Sequence, residues 1–167
     1  MAVNAYLYID GVTGPSTSKT GFIDILSFSF GASNTSTYGV GASGLEAKAG
    51  RVDFSNLSIM KVLDKTSPLV GQHCWSGDIL DKVYILYDKP IGTEQADYFR
   101  VYLQDALVTS VQQSGSNENP TESWSFAFQK VEVAYKPEKD DGTLDGAVAK
   151  GFDLSTLKSD YAAPDAF

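Results

Sequence analysis

Residues 50–69, GRVDFSNLSIMKVLDKTSPL, set a long extended segment almost directly before a capped helix, and this junction constrains the fold most. Val52 and Phe54 share one parity, whereas Leu57 and Ile59 share the other. Side chains in a strand switch faces at every residue, so the phase change at Ser55-Asn56 predicts a bulge or bend. Asp64, Thr66 and Ser67 are N-cap candidates, and Pro68 suits a first helical position, where its missing N–H costs nothing. A short helix is therefore expected near residues 67–76, with Gly77 as its stop. Leu69 with His73, and Val70 with Cys74, are spaced to share its buried side.

The same reading extends along the chain. Residues 6–9 form a first strand and residues 11–20 a Gly/Ser/Thr/Pro turn region. Residues 22–30 form a second strand, with Ile23 and Ile25 on one parity and Leu26, Phe28 and Phe30 on the other. That shift predicts the bend a sheet needs to curl into a barrel. Residues 31–49 read as a loop, long enough to be functional or disordered. Residues 83–87 are nearly all apolar, consistent with burial on both faces or a subunit contact. A long strand over 98–112, a polar turn at 114–120 and a strand over 121–135 complete a hairpin. In its second arm the apolar phase changes at Gln129-Lys130. Fifteen glycines and nine each of Tyr and Phe favour many short strands, and no linker divides the 167 residues into two domains.

Four blocks, at residues 6–31, 50–69, 80–89 and 98–137, resemble in order and spacing the Hcp family, the tube proteins of bacterial type VI secretion systems. The resemblance implies a mainly β fold: an antiparallel β-barrel of two packed sheets with one short flanking α-helix. It covers residues 1–154, including a final extended segment at 146–154, and leaves 155–167 as a variable tail. Two readings of that tail stand, a frayed terminus or a docking peptide for a neighbouring subunit. By resemblance, six protomers close into a hexameric ring and rings stack into an inner tube. Small effectors ride in the lumen, a spike protein of VgrG type caps the tube end and a contractile sheath surrounds it. The loop after the second strand touches the next ring in this scheme. Tyr38 and Leu45 are its candidate anchors, and Gly39, Gly41 and Gly44 supply its flexibility.

Apart from the resemblance, the residues themselves offer few groupings suited to chemistry. His73 and Cys74 are the single histidine and cysteine, adjacent and about 100° apart on a helix, so they make a poor nucleophile–base pair. Two such ligands do not make a zinc site. Asp140, Asp141 and Asp145 around Gly142 lack the spacing of a calcium loop and read as a solvated acidic turn. Gly39-Val40-Gly41 lacks the context of a phosphate-binding loop. Trp124, Phe126 and Phe128 share one strand face, either as core or as a stacking platform. No catalytic, metal or cofactor site is expected, and the chain is read as a non-enzyme. A monomeric β-sandwich module binding carbohydrate is the alternative. The net charge of −8 makes nucleic acid and anionic lipid poor partners. No apolar run approaches the roughly 20 residues of a membrane span. The N-terminus lacks a Sec signal and Cys74 has no internal partner, so assembly in the cytoplasm is expected. Secretion through the type VI apparatus would then follow from the resemblance.

Overall fold

The computed structural model describes residues 3–35 and 50–167 in full, and the backbone alone of 37–38 and 47–48. The elements in chain order are β1 (Asn4–Ile9), β2 (Ile23–Asp24), β3 (Ser27–Ser29), β4 (Ala32–Asn34), β5 (Thr37–Tyr38) and β6 (Ala47–Lys48). They continue as β7 (Val52–Phe54), β8 (Leu57–Val62), α1 (Ser67–Ser76), β9 (Ile79–Ile91), β10 (Glu94–Ser114), β11 (Thr121–Tyr135) and β12 (Val148–Asp153).

One antiparallel sheet runs β2-β1-β9-β10-β11-β8-β3, with β12 also paired to β11. Its two edge strands, β2 and β3, are consecutive in the chain, and that closes the barrel. The backbone N–H of Ile25 donates to Ala5 of β1 at 3.1 Å, and that of Leu26 donates to Met60 of β8 at 2.7 Å. The phase change expected within 22–30 is thus the crossing from one sheet edge to the other. Phe28 of β3 then reaches over the interior to Tyr87 of β9 and Phe99 of β10. The two packed layers are opposite walls of this single curled sheet.

Curling also requires the long strands to bend. Their inward residues run Leu80 then Val83 in β9, Leu103 then Ala106 in β10, and Phe128 then Val131 in β11. Each strand skips one position, at the level where Gln104 pairs with both Lys82 and Lys130, and Ala106 with both Leu80 and Phe128. Asp105 takes a left-handed φ of 53° there. The Gln129-Lys130 phase change is one member of this row, where three neighbouring strands bend together without a change of pairing register. Register shifts, the mark of bulges, fall instead between Val108 and Ser110 and between Asp97 and Phe99. The break at Ser55-Asn56 separates β7 from β8, as its parity predicts.

The interior holds Leu7, Ile23, Leu57, Ile85, Trp124 and Phe126, all fully buried. Val83, Ile85 and Leu86 are buried in β9 with Tyr84 and Tyr87 half-buried, so this strand is covered on both faces. Two sequence expectations fail locally. Leu26 sits at the edge crossing and points outward, 62% exposed, and Leu69 lies on the outer side of α1 at 46%. Only Val70 of the Leu69/Val70 pair enters the core.

Helix α1 spans Ser67–Ser76 and ends at Gly77, whose left-handed φ of 73° lets its N–H reach the His73 carbonyl. Its start differs from a simple cap. Thr66 occupies the N-cap position but makes no side-chain cap bond. Its N–H and hydroxyl both donate to the Asp64 carboxylate. Ser67 instead donates to Glu122 of β11, tying the helix entrance to the barrel interior.

Candidate assembly surfaces

The segment read as a loop, 31–49, contains three of the twelve strand segments described. β4 pairs with β7 (Ala32↔Phe54, Ser33↔Asp53, Asn34↔Val52), and β5 pairs with β6 (Thr37↔Lys48, Tyr38↔Ala47). These two sets of pairings form an antiparallel ribbon, too short in each pairing to print an alternation on the sequence. Its base is clamped twice. Ser55 bonds Gly31 through both its backbone N–H (2.9 Å) and its hydroxyl (3.0 Å). Asn34 accepts the Gly50 N–H at 3.1 Å, and a Cβ on Gly50 would collide with the Thr35 carbonyl. Phe54 seats the base against Phe30, Phe128 and Phe152. Of the stacking candidates, Tyr38 is described only through its backbone pairing. Gly39, Gly41, Gly44 and Leu45 lie outside the described residues.

Two apolar surfaces face outward. On the β3–β8 side, Leu26, Met60 and Val62 are 62%, 47% and 41% exposed, beside the Ser58–Ser125 hydroxyl pair at 3.0 Å. On α1, Trp75 is 81% exposed. With Leu63, Pro68, Gly71 and Val111 it borders a groove of about 330 Å³. Gly71 leaves room for the indole, since a Cβ there would already touch the ring at 3.4 Å.

Behind α1 lies a buried ionic knot that sequence reading missed. Lys61 and Glu122 are both fully buried and meet at 3.0 Å. Lys61 also bonds the Val62 carbonyl at 2.8 Å and Asp64 at 3.0 Å, and its ammonium lies 4.8 Å from the Trp124 ring centre. Glu122 further accepts from Ser67 and from Gln113 (3.2 Å). The pair is thus satisfied on all sides, the condition under which a buried ion pair is tolerable.

A third outer face, on β1, β9 and β10, carries a stack of tyrosines, Tyr8, Tyr84 and Tyr102, with ring centres 4.8 and 5.5 Å apart. The tail, 155–167, folds back over it. After an antiparallel bridge between Asp153 and Lys158, the tail crosses β12 at Gly151, where any Cβ would collide with the Tyr161 carbonyl. The Tyr161 hydroxyl donates to Gln104 (2.7 Å), and the Ala163 N–H donates to Glu132 (2.6 Å). Asp165 accepts from Lys82 (2.9 Å) and from the Tyr102 hydroxyl (3.3 Å), while its carbonyl accepts from Arg100 (3.0 Å). The Phe167 ring centre lies 5.0 Å from the Arg100 guanidinium and 4.3 Å from the Lys136 ammonium. The bond from Lys82 holds Asp165 below its usual carboxylate range and, reciprocally, raises Lys82. Burial and then the Glu132 charge push Tyr161 up to about 12. Neither reading of the tail anticipated this docking on its own barrel.

The remaining chemical candidates resolve as structure. Trp124 and Phe126 are fully buried and Phe128 half-buried against the core, so this face is not a stacking platform. Asp141 accepts from the backbone and hydroxyl of Thr143 and organises a surface turn. Its carboxyl is lowered first by the hydroxyl bond. His73 meets Asp78 at 3.2 Å on the surface, and Cys74 packs half-buried against the core, so the adjacent pair diverges. Among the described residues, no helix is long and apolar enough to cross a membrane.

The chain is thus a curled antiparallel barrel with one flanking helix, a clamped ribbon and outward apolar surfaces. The family model for the type VI secretion system effector Hcp matches residues 6–135. The chain is 34% identical over 154 residues to protein hcp1 of Pseudomonas aeruginosa, covering 90% of this chain and 93% of that one. Among solved structures, it is similar to one described as a type six secretion system protein. That match has a TM-score of 0.84 and 26% identity, over 94% of this chain and 99% of the other. It is also similar to Hcp1 from Salmonella typhimurium, with a TM-score of 0.75 and 26% identity, over 95% and 99%. The chain belongs to the Hcp family of type VI secretion proteins.

Proposed function

We propose that this chain is the protomer of a hexameric ring, and that rings stack into the inner tube of a type VI secretion system. Small effectors occupy the lumen, a VgrG-type spike sits at the tube end and a contractile sheath surrounds it. The tube is a structural body without a reaction centre, assembled in the cytoplasm and exported by its own apparatus. The likeness over nine-tenths of the chain to protein hcp1 carries the reading. Outward Leu26, Met60, Val62 and Trp75 support it, because grouped apolar side chains on a surface mark contacts with other molecules. A ring needs a head-to-tail interface whose rotation closes, since a two-fold contact stops at a dimer.

Native mass spectrometry and negative-stain imaging test the proposal. Rings at six times the 18.0 kDa chain mass are expected. A chain that stays monomeric at every concentration, with nothing annular in images, would refute it. The segment 31–49, whose sequence includes Tyr38, Gly39, Gly41, Gly44 and Leu45, makes the ring-on-ring contact in this reading. Replacing Tyr38 and Leu45 with Ser should preserve the ring and weaken stacking; an unfolded double variant would place both residues in the core instead.

A further inference from the structure

The ribbon and the α1 groove stand at opposite ends of the barrel, and positions along β11 place both. Val111 and Gln113, which line the groove under Trp75, pair with Trp124 and Glu122 near the start of β11. The ribbon leaves from the other end. Leu57 pairs with Phe126, and Phe54 packs on Phe128. Gly50 and Val52 then border a cleft with Phe152, which pairs with Val131. Each step from β8 back into the ribbon thus leads further from the groove, and from Glu122 to Val131 a strand rises roughly 30 Å. The clamps at Ser55 and Gly50 hold that course. A chain's own ribbon therefore points away from its groove, whereas the ribbon of a copy placed end to end points into it. Eight residues, 39–46, join the paired Tyr38 and Ala47, enough chain to reach about 14 Å beyond that pair.

Charge favours the same pairing. Two copies at −8 repel, so they meet at least cost through surfaces that carry no charge. No Asp, Glu, Lys or Arg lies between Asp24 and Glu46, and none between Lys65 and Asp78. The first stretch includes Tyr38, Val40 and Leu45; the second contains α1. Asp64, the charged residue lining the groove, has its carboxylate committed to Lys61 and Thr66. Leu63, Pro68 and Val111 give the groove an apolar lining. Trp75 overhangs it at 81% exposure, and tryptophan is among the residues that most often dominate a contact between proteins.

We infer that the α1 groove under Trp75 is the socket for residues 38–45 of a second copy of this chain, the copy in the next ring. The contact joins one end of a protomer to the opposite end of another. Such a heterologous contact does not close on itself and so propagates as a filament. The inference rests on the stacking reading and adds to it the receiving surface.

Rings purified separately from Leu45→Cys and Pro68→Cys chains, both in a Cys74→Ser background, are mixed at the salt where tubes form and treated with a short bis-maleimide. A link between the two chains is expected in tubes and absent at low salt, where rings stay single. A second measurement needs no cysteine. Trp75→Ala removes an exposed side chain, so rings should still form, while the concentration needed for tubes should rise about tenfold, as loss of a central tryptophan contact does. Trp75→Phe should restore most of that loss. Acrylamide quenching adds a third reading: Trp75 should be accessible in rings and shielded in tubes, with buried Trp124 unchanged in both. Tubes that form without the link, and Trp75→Ala rings that stack at the parent's concentration, would overturn the socket and leave stacking intact. Parent rings that stack under no condition would sink the stacking reading and the socket with it. A link already present in single rings of co-expressed chains would place the groove between neighbours of one ring and overturn the socket as well.

Discussion

Lys61 stands on the same inward row as Leu57 and Ile59, and Glu122 on the same inward row as Trp124 and Phe126. Strict alternation therefore already puts a lysine and a glutamate inside the barrel, and pairing is the only way to keep both there charged. Lys61→Met leaves Glu122 buried without its cation and should cost about 3–5 kcal/mol. Adding Glu122→Leu should return most of that loss. Urea midpoints at constant slope measure both; equal destabilisation of the single and double variants would show that shape, not charge, is responsible. Asp165 sets a second test at this scale. Its lowered carboxyl contributes to tail docking above the usual carboxylate range, and that contribution disappears as pH falls through the lowered value. Lys82 is raised, so its share is complete below the usual lysine range and is lost as pH climbs through the raised value. Docking should thus be flat around neutrality and weaken at both extremes. The Ala163 amide followed by NMR reports it, and Asp165→Asn should remove both limbs together, because the bond to Asp165 is also what raises Lys82.

Gly151 shows how an element depends on one missing side chain. It pairs with Glu132 on the outward side of β12, where a Cβ would run into the Tyr161 carbonyl and meet the Val131 carbonyl of β11 at 2.9 Å, so Gly151→Val collides chiefly with the crossing tail and more lightly with the β11 backbone. The expected result is rapid proteolysis after residue 154 with a melting temperature within a few degrees of the parent. A collapse of the melting temperature would mean that the tail helps hold the barrel closed. The elements that parity revealed, the breaks at 25–26, 55–56 and 129–130, were legible because a bend in a half-buried strand rewrites which residues are apolar. Helix α1 was legible from Pro68 and Gly77. The ribbon in 31–49 was not, since pairings of two or three residues are too short to impose a pattern. The tail was not either, because Asp165 finds its partner on β9, 83 residues away, through side chains that look like any polar surface. Leu26 and Leu69 misled for the opposite reason: their apolar character is spent on the outside.

At the scale of the whole molecule, electrostatics opposes the proposed stacking. Six chains at −8 carry −48 per ring, a charge that parity and packing do nothing to remove. At low salt the screening length is about 30 Å, so rings repel across the whole gap between them; near physiological salt it shrinks to about 8 Å. Apolar and hydrogen-bonding contacts at the ribbon act only at close range and gain the advantage once that repulsion is confined. Dilute protein at low ionic strength should therefore sediment as discrete rings, and added salt, crowding or a nucleating end should lengthen them into tubes. Light scattering against salt concentration reads this directly, with the Tyr38→Ser/Leu45→Ser rings as a control expected to stay short throughout. Long tubes forming spontaneously at low salt and dissolving as salt is added would mean that attraction between opposite local charges, and not apolar contact, holds ring to ring.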